Sequence, residues 1–158
     1  MKKYHSPIFI AQNYINIIFA LAILCSCQGG YMHRQLVQAD SLMNDHTDSA
    51  YKILCKIDSS RISSDEDMAY YGLLVTQVKY KKEKKVYTDL ISRSIDYYRQ
   101  HSNPSLLQRS YFYRGAVNED NKGPLKESIL DYKQAEKLIE ETNDTILNLR
   151  IYENLSAA

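Results

Sequence analysis

The chain has 158 residues, 44% of them hydrophobic and 25% charged, which suits one globular domain with a modest core. Its net charge of +1 gives no global attraction to nucleic acid. Fourteen tyrosines, no tryptophan, and only five glycines and three prolines favour helix, with tyrosine at contacts that keep one wet edge.

Lys2 and Lys3 form a short positive stretch ahead of an apolar run that is densest over 15–24, and small residues follow near Ser26. This is the layout of a secretory signal, so residues 1–26 are set aside from the fold. A retained membrane helix is the rival reading. Gln12, Asn13 and Asn16 interrupt the run, which falls short of the roughly 20 apolar residues a span needs.

Leu24-Cys25-Ser26-Cys27 resembles a bacterial lipobox. The resemblance implies that Cys27 takes a diacylglyceryl thioether and becomes the acylated mature N-terminus, with residues 27–31 as a lipidated tether. More than one acyl chain is what stable anchoring takes. The rival reading is two cysteines that merely lie near a cleavage site. With Cys25 removed and Cys27 acylated, Cys55 remains alone, so no intrachain disulfide forms. Cys55 is expected as a small helix-packing residue. The histidines are scattered without ligand spacing, and no metal site is expected.

In chain order, a helix is expected over 32–43, ended by the polar break 44–48. Thr47 or Asp48 suits the cap of the next helix, over 49–57, whose Ala50, Ile53, Leu54 and Ile57 form one buried stripe. After a polar linker, Ser64 and Asp67 make a capping box, and Asp65, Glu66 and Asp67 complement the positive end of a helix. That helix runs on to about Tyr80. The lysine-rich stretch 79–85 reads as a solvated turn rather than a nucleic-acid or membrane surface. A helix over 87–100 follows. Asn103 caps and Pro104 starts the next helix, to Glu119. A turn over 120–124 leads to a helix over 125–141, with Ile129, Tyr132, Ala135 and Leu138 as its stripe. A last helix begins at Thr145.

These helices repeat. Ala69-Tyr70-Tyr71-Gly72 matches Ser110-Tyr111-Phe112-Tyr113, while Ser94-Ile95 and Tyr98-Arg99-Gln100 match Ser128-Ile129 and Tyr132-Lys133-Gln134. The two offsets differ by close to two helical turns, so helix phase survives. Two helices per unit of this size point to a helical solenoid. Here the chain resembles the tetratricopeptide repeat family, whose unit is about 34 residues. Tyr111 stands at the family's Trp position, Gly115 at its Gly, Ser128 at the small position of the second helix, Tyr132 at the aromatic and Ala135 at the second Ala. Arg114 and Asn118 depart from the family's Leu and Tyr. The expected fold is therefore all-α: a right-handed solenoid of antiparallel helix pairs over 32–158, with units over 32–60, 65–101 and 104–141 and a partial unit over 144–158. The last helix is either a cap or the start of a unit that continues.

No Walker loop, GxGxxG, HExxH, GxSxG or zinc-type cysteine pattern occurs, so neither an enzyme nor a cofactor is expected. The overall arrangement resembles the amino-terminal part of exported, lipid-anchored tetratricopeptide proteins of Gram-negative bacteria. That implies a scaffold for a protein or peptide, held on a membrane by its N-terminal lipid, with the periplasmic face of the outer membrane as the expected place. In the family the first helix of each pair lines the binding face, which here implies Tyr71, Arg109, Phe112, Ala116 and Glu119. Two other readings stand beside it: the sensor half of a membrane-bound transcriptional regulator, and a glycan-binding surface lipoprotein.

Overall fold

A computed structural model describes residues 30–157. The expected signal peptide over 1–26 and the expected lipid-bearing Cys27 lie outside the described residues. Within them every regular element is helical. Helix α1 spans 30–41. It is followed by α2 (Thr47–Lys56), α3 (Asp65–Lys81), α4 (Asp89–Gln100), α5 (Pro104–Asp120), α6 (Leu125–Glu136) and α7 (Thr145–Ala157), with 3-10 turns at Ser59–Arg61 and Ile139–Glu141. Gly30 and Tyr31, expected as tether, are already helical.

Local chemistry accounts for the boundaries. Ser64 Oγ accepts from the Asp67 amide at 3.1 Å and starts α3. Asn103 Oδ1 accepts from the Leu106 amide at 3.1 Å, and Pro104 occupies the first turn of α5. The start of α2 differs from expectation. His46 is its N-cap, without a side-chain cap bond, while the Thr47 hydroxyl donates back to the Met43 carbonyl at 3.0 Å and extends the preceding turn. Helices α3, α4 and α5 each run into a non-glycine residue in the left-handed region, Glu83, Ser102 and Lys122. After Lys122 the chain turns so tightly that a Cβ on Gly123 would lie 2.9 Å from the Asn118 carbonyl oxygen.

Each helix packs on the next along the chain from α2 to α7, apart from a direct contact of α3 with α5. Two apolar clusters result. Leu36 and Ala39 of α1, Met43 in the turn after it, and Ala50 and Leu54 of α2 close on Leu74, Val75 and Val78 of α3. The other face of α3, with Ala69 and Leu73, joins Ile91 and Ile95 of α4, Phe112 and Ala116 of α5, Tyr132 and Ala135 of α6, and Ile151 of α7. Helix α3 is therefore buried on every side over 72–78, with Thr76 and Gln77 included, whereas α2 and α4 keep one wet face.

Some expected burial is redistributed. In α6 the buried stripe is Ser128, Asp131, Tyr132 and Ala135, while Ile129 and Leu138 are only half-buried. Cys55 is exposed rather than packed. The lysine-rich turn is not simply solvated. Lys81 donates to Asn44 Oδ1 at 2.8 Å, Lys82 pairs with Asp48, and the ammonium groups of Lys82 and Lys84 lie over the Tyr51 ring. These contacts tie the end of α3 to the α1–α2 corner.

Candidate functional site

Helices α1, α3, α5 and α7 bring side chains together on one face. At its centre the Arg109 guanidinium of α5 makes a two-pronged ion pair with Asp40 of α1, with Nη1 to Oδ2 at 3.0 Å and Nη2 to Oδ1. Arg109 Nε also donates to Gln77 Oε1 of α3 at 2.7 Å, and the Tyr70 hydroxyl donates to the same Asp40 carboxylate. Only 17% of the Arg109 side chain and 22% of that of Asp40 are exposed, so the pair is largely removed from water. Burial pushes the Asp40 carboxyl up, but the bonds and charge of Arg109, with the Tyr70 hydroxyl, outweigh it and hold the carboxyl below its ordinary value. Fork geometry of this kind needs arginine.

This strut divides the face into two hollows. One, of about 110 Å³, lies between Asp40, Asn44, Tyr113, Asp144, Ile146 and Arg150. Arg150 of α7 donates to the Tyr113 hydroxyl at 3.3 Å and lies 4.6 Å over the Phe112 ring. Lys81 is close enough that burial, then Arg150 and Arg109, lower its affinity for a proton. The second hollow, of about 370 Å³, lies on the far side of Tyr70 and is lined by His33, Val37, Glu66, Tyr97, Tyr98 and His101 among others.

The residues expected to line a groove go to different places. Arg109 lines the smaller hollow as part of the strut. Tyr71 lies on the opposite side of α3, beside Tyr51, Cys55 and Val75 in a crevice against α2. Phe112 and Ala116 are buried, because Arg150 and Tyr132 cover the ring and the small side chain lies within the core. Glu119 is exposed and accepts from the Tyr132 hydroxyl at 2.7 Å.

Those expected to pack between helices are all buried: Tyr111, Gly115, Ser128, Tyr132 and Ala135. A Cβ on Gly115 would lie 2.9 Å from the Tyr132 ring and 3.1 Å from the Ser128 carbonyl oxygen. Gly72 has the same part between α3 and α4, where a Cβ would meet the Leu90 carbonyl oxygen and Ser94 Oγ at 2.8 Å. The sequence match set Gly72 against Tyr113 instead, because it followed the aromatic pairs rather than the backbone approach. Arg114, at a position apolar in the family, is half-buried and makes a paired contact with Asp131 of α6, at 2.8 Å from Nε and 2.6 Å from Nη2.

Asp40 and the Tyr98 hydroxyl are not marked as site groups by the sequence. Asp40 offers no local signal, since its partner is 69 residues away. Tyr98 was read only as a repeat filler, yet its buried hydroxyl has no hydrogen-bond partner among the described residues. Among those residues there is also no group of three or more His, Cys, Asp or Glu side chains able to hold a metal ion. No helix among them is long and apolar enough to cross a membrane. No protein-family model matches this chain, and neither a curated protein nor a solved structure does.

Proposed function

We propose that this chain is an exported, lipid-anchored scaffold of tetratricopeptide type, a right-handed stack of antiparallel helix pairs that holds a protein or peptide segment and carries out no catalysis. The observation that supports the reading most is the convergence of α1, α3, α5 and α7 on one face, with polar side chains from all four at the smaller hollow. The close contacts at Gly72 and Gly115 support the repeat reading, since both bring a first helix against its partner. An array of this kind offers an extended surface rather than a reaction centre.

A photo-crosslinking residue at Ile146, which is 74% exposed beside the smaller hollow, tests the scaffold. It is expected to trap one discrete partner in cells, while the same residue at Leu130, on the side of α6 away from this face, traps none. Equal labelling from both positions, or none from either, overturns the reading. The anchor is tested separately. Cys27→Ser is expected to move the protein from the membrane to the soluble fraction, and retention in the membrane refutes lipidation.

A further inference from the structure

The larger hollow is rich in hydrogen-bond acceptors and contains no lysine or arginine among its lining residues. His101 Nδ1 lies 2.8 Å from the Tyr97 carbonyl oxygen, which can only accept, so Nδ1 carries the hydrogen. In the neutral ring Nε2 is then an acceptor. His33 Nδ1 lies 2.8 Å from Asp67 Oδ1, and the same reasoning makes its Nε2 an acceptor. Tyr98 is 2% exposed, lines the hollow, and its hydroxyl has no partner among the described residues. That hydroxyl is sealed from solvent, so Tyr98 serves as part of the wall of the hollow rather than as an acceptor for a ligand.

Rings and charge point the same way. Tyr97 and Tyr98 meet edge to face, with centroids 5.5 Å apart and planes at 79°. His101 stacks on Tyr97 at 4.0 Å, and Tyr70 lies across the hollow beside His33. Asp65, Glu66 and Asp67 crowd the first turn of α3 and more than offset the positive end of that helix. Desolvation and then the Glu66, Asp65 and Asp67 carboxylates raise the Tyr97 hydroxyl above its ordinary value; at Tyr98, deeper in, burial acts the same way and the Arg109 charge opposes it.

We propose that this hollow binds a basic side chain of a peptide, arginine in first place, with its guanidinium against the Tyr97 ring and its N–H groups directed at Glu66. Arginine fits better than lysine because its planar group stacks on rings while presenting several donors at once. The assignment builds on the scaffold reading and names what the held peptide brings to one end of the face. Its complement at the centre of the face is already satisfied, since Arg109 is paired with Asp40.

The test is an NMR titration of the full 158-residue chain with acetyl-Gly-Arg-Gly-amide and with its neutral citrulline counterpart. Saturable shifts are expected at the amides of His33, Tyr97 and Tyr98, with the arginine peptide binding about tenfold more tightly than the citrulline peptide. Glu66→Gln and Tyr97→Ala are each expected to weaken it about three-fold. Tyr98→Phe removes a hydroxyl that the ligand does not reach, and is expected to leave binding unchanged with no loss of thermal stability. Equal binding of the two peptides, shifts that map elsewhere, or a Glu66→Gln protein that binds unchanged overturns the assignment. Crosslinking at Ile146 without arginine binding sinks this pocket alone; loss of both sinks the scaffold.

Discussion

The α3–α4 and α5–α6 pairs solve one packing problem with different chemistry. Both bring a glycine of the first helix against the backbone of the second. Around that contact the hydroxyl groups are exchanged. In α4, Ser94 Oγ donates to the Ala69 carbonyl at 2.7 Å, while the Tyr98 hydroxyl has no partner. In α6 the Tyr132 hydroxyl donates to Glu119, while Ser128 Oγ has none. The α5–α6 pair adds the Arg114–Asp131 ion pair, and no ion pair joins α3 to α4 among the described residues. The difference teaches that the two pairs share the distance of approach and differ in the polar details.

The glycines give the largest expected effect. Gly72→Ala is expected to lower stability by about 2–3 kcal/mol in denaturant unfolding, after allowing for the better helix propensity of alanine. Its Cβ meets a backbone carbonyl that cannot move without α4. Gly115→Ala is expected to lose about half as much, because there the nearest atom belongs to a side chain. Equal effects in the two pairs would deny the ranking.

Next comes the ion pair. Arg114→Met leaves the Asp131 carboxylate, 7% exposed, without its partner, and is expected to lose about 2 kcal/mol. Restoring the pair's neutrality with Asp131→Asn in the same chain is expected to recover part of that loss. A double mutant as unstable as the summed single mutants would show that the two side chains act independently.

The hydroxyl exchange predicts opposite signs. Ser94→Ala is expected to destabilise by about 1 kcal/mol, and Ser128→Ala to leave stability unchanged or raise it by a similar amount. Tyr132→Phe and Tyr98→Phe are expected to divide in the same way, with Tyr132→Phe the destabilising one. If both serines respond alike in thermal melts, the comparison fails.

The smallest effect is the pH dependence of the strut. The folded Asp40 carboxyl titrates below its ordinary value of 3.8, so its contribution is complete above that pH and is lost as acidity rises below it. Melting temperature is expected to fall less steeply with acidification below about pH 4 in Asp40→Asn than in the parent chain. Parallel curves would show that the Asp40–Arg109 pair has no part in acid stability.

Much of the fold could be read locally. Ser64 and Asn103 signal helix starts because a cap acts within three residues of itself. Glycine and small residues within helices signal close contacts. What could not be read is set by distance and by neighbours. Nothing near Asp40 marks it as the partner of Arg109. The family resemblance placed Phe112 and Ala116 on an open face, but both are buried, with Arg150 of α7 over the Phe112 ring. The larger hollow draws on α1, α3, α4 and the start of α5, so its parts meet only after the pairs have stacked.

The Asp40–Arg109 bond also bears on how the molecule opens. A stack whose units touch only their neighbours can fray from an end, one pair at a time. Here the first helix is fastened to the fifth, 69 residues away along the chain. Loosening α1 therefore exposes a buried guanidinium of α5, which links the terminal pair to the middle of the molecule. Amide protons of α1 should then exchange with solvent nearly as slowly as those of α5, and the helices should unfold as one cooperative unit rather than peel.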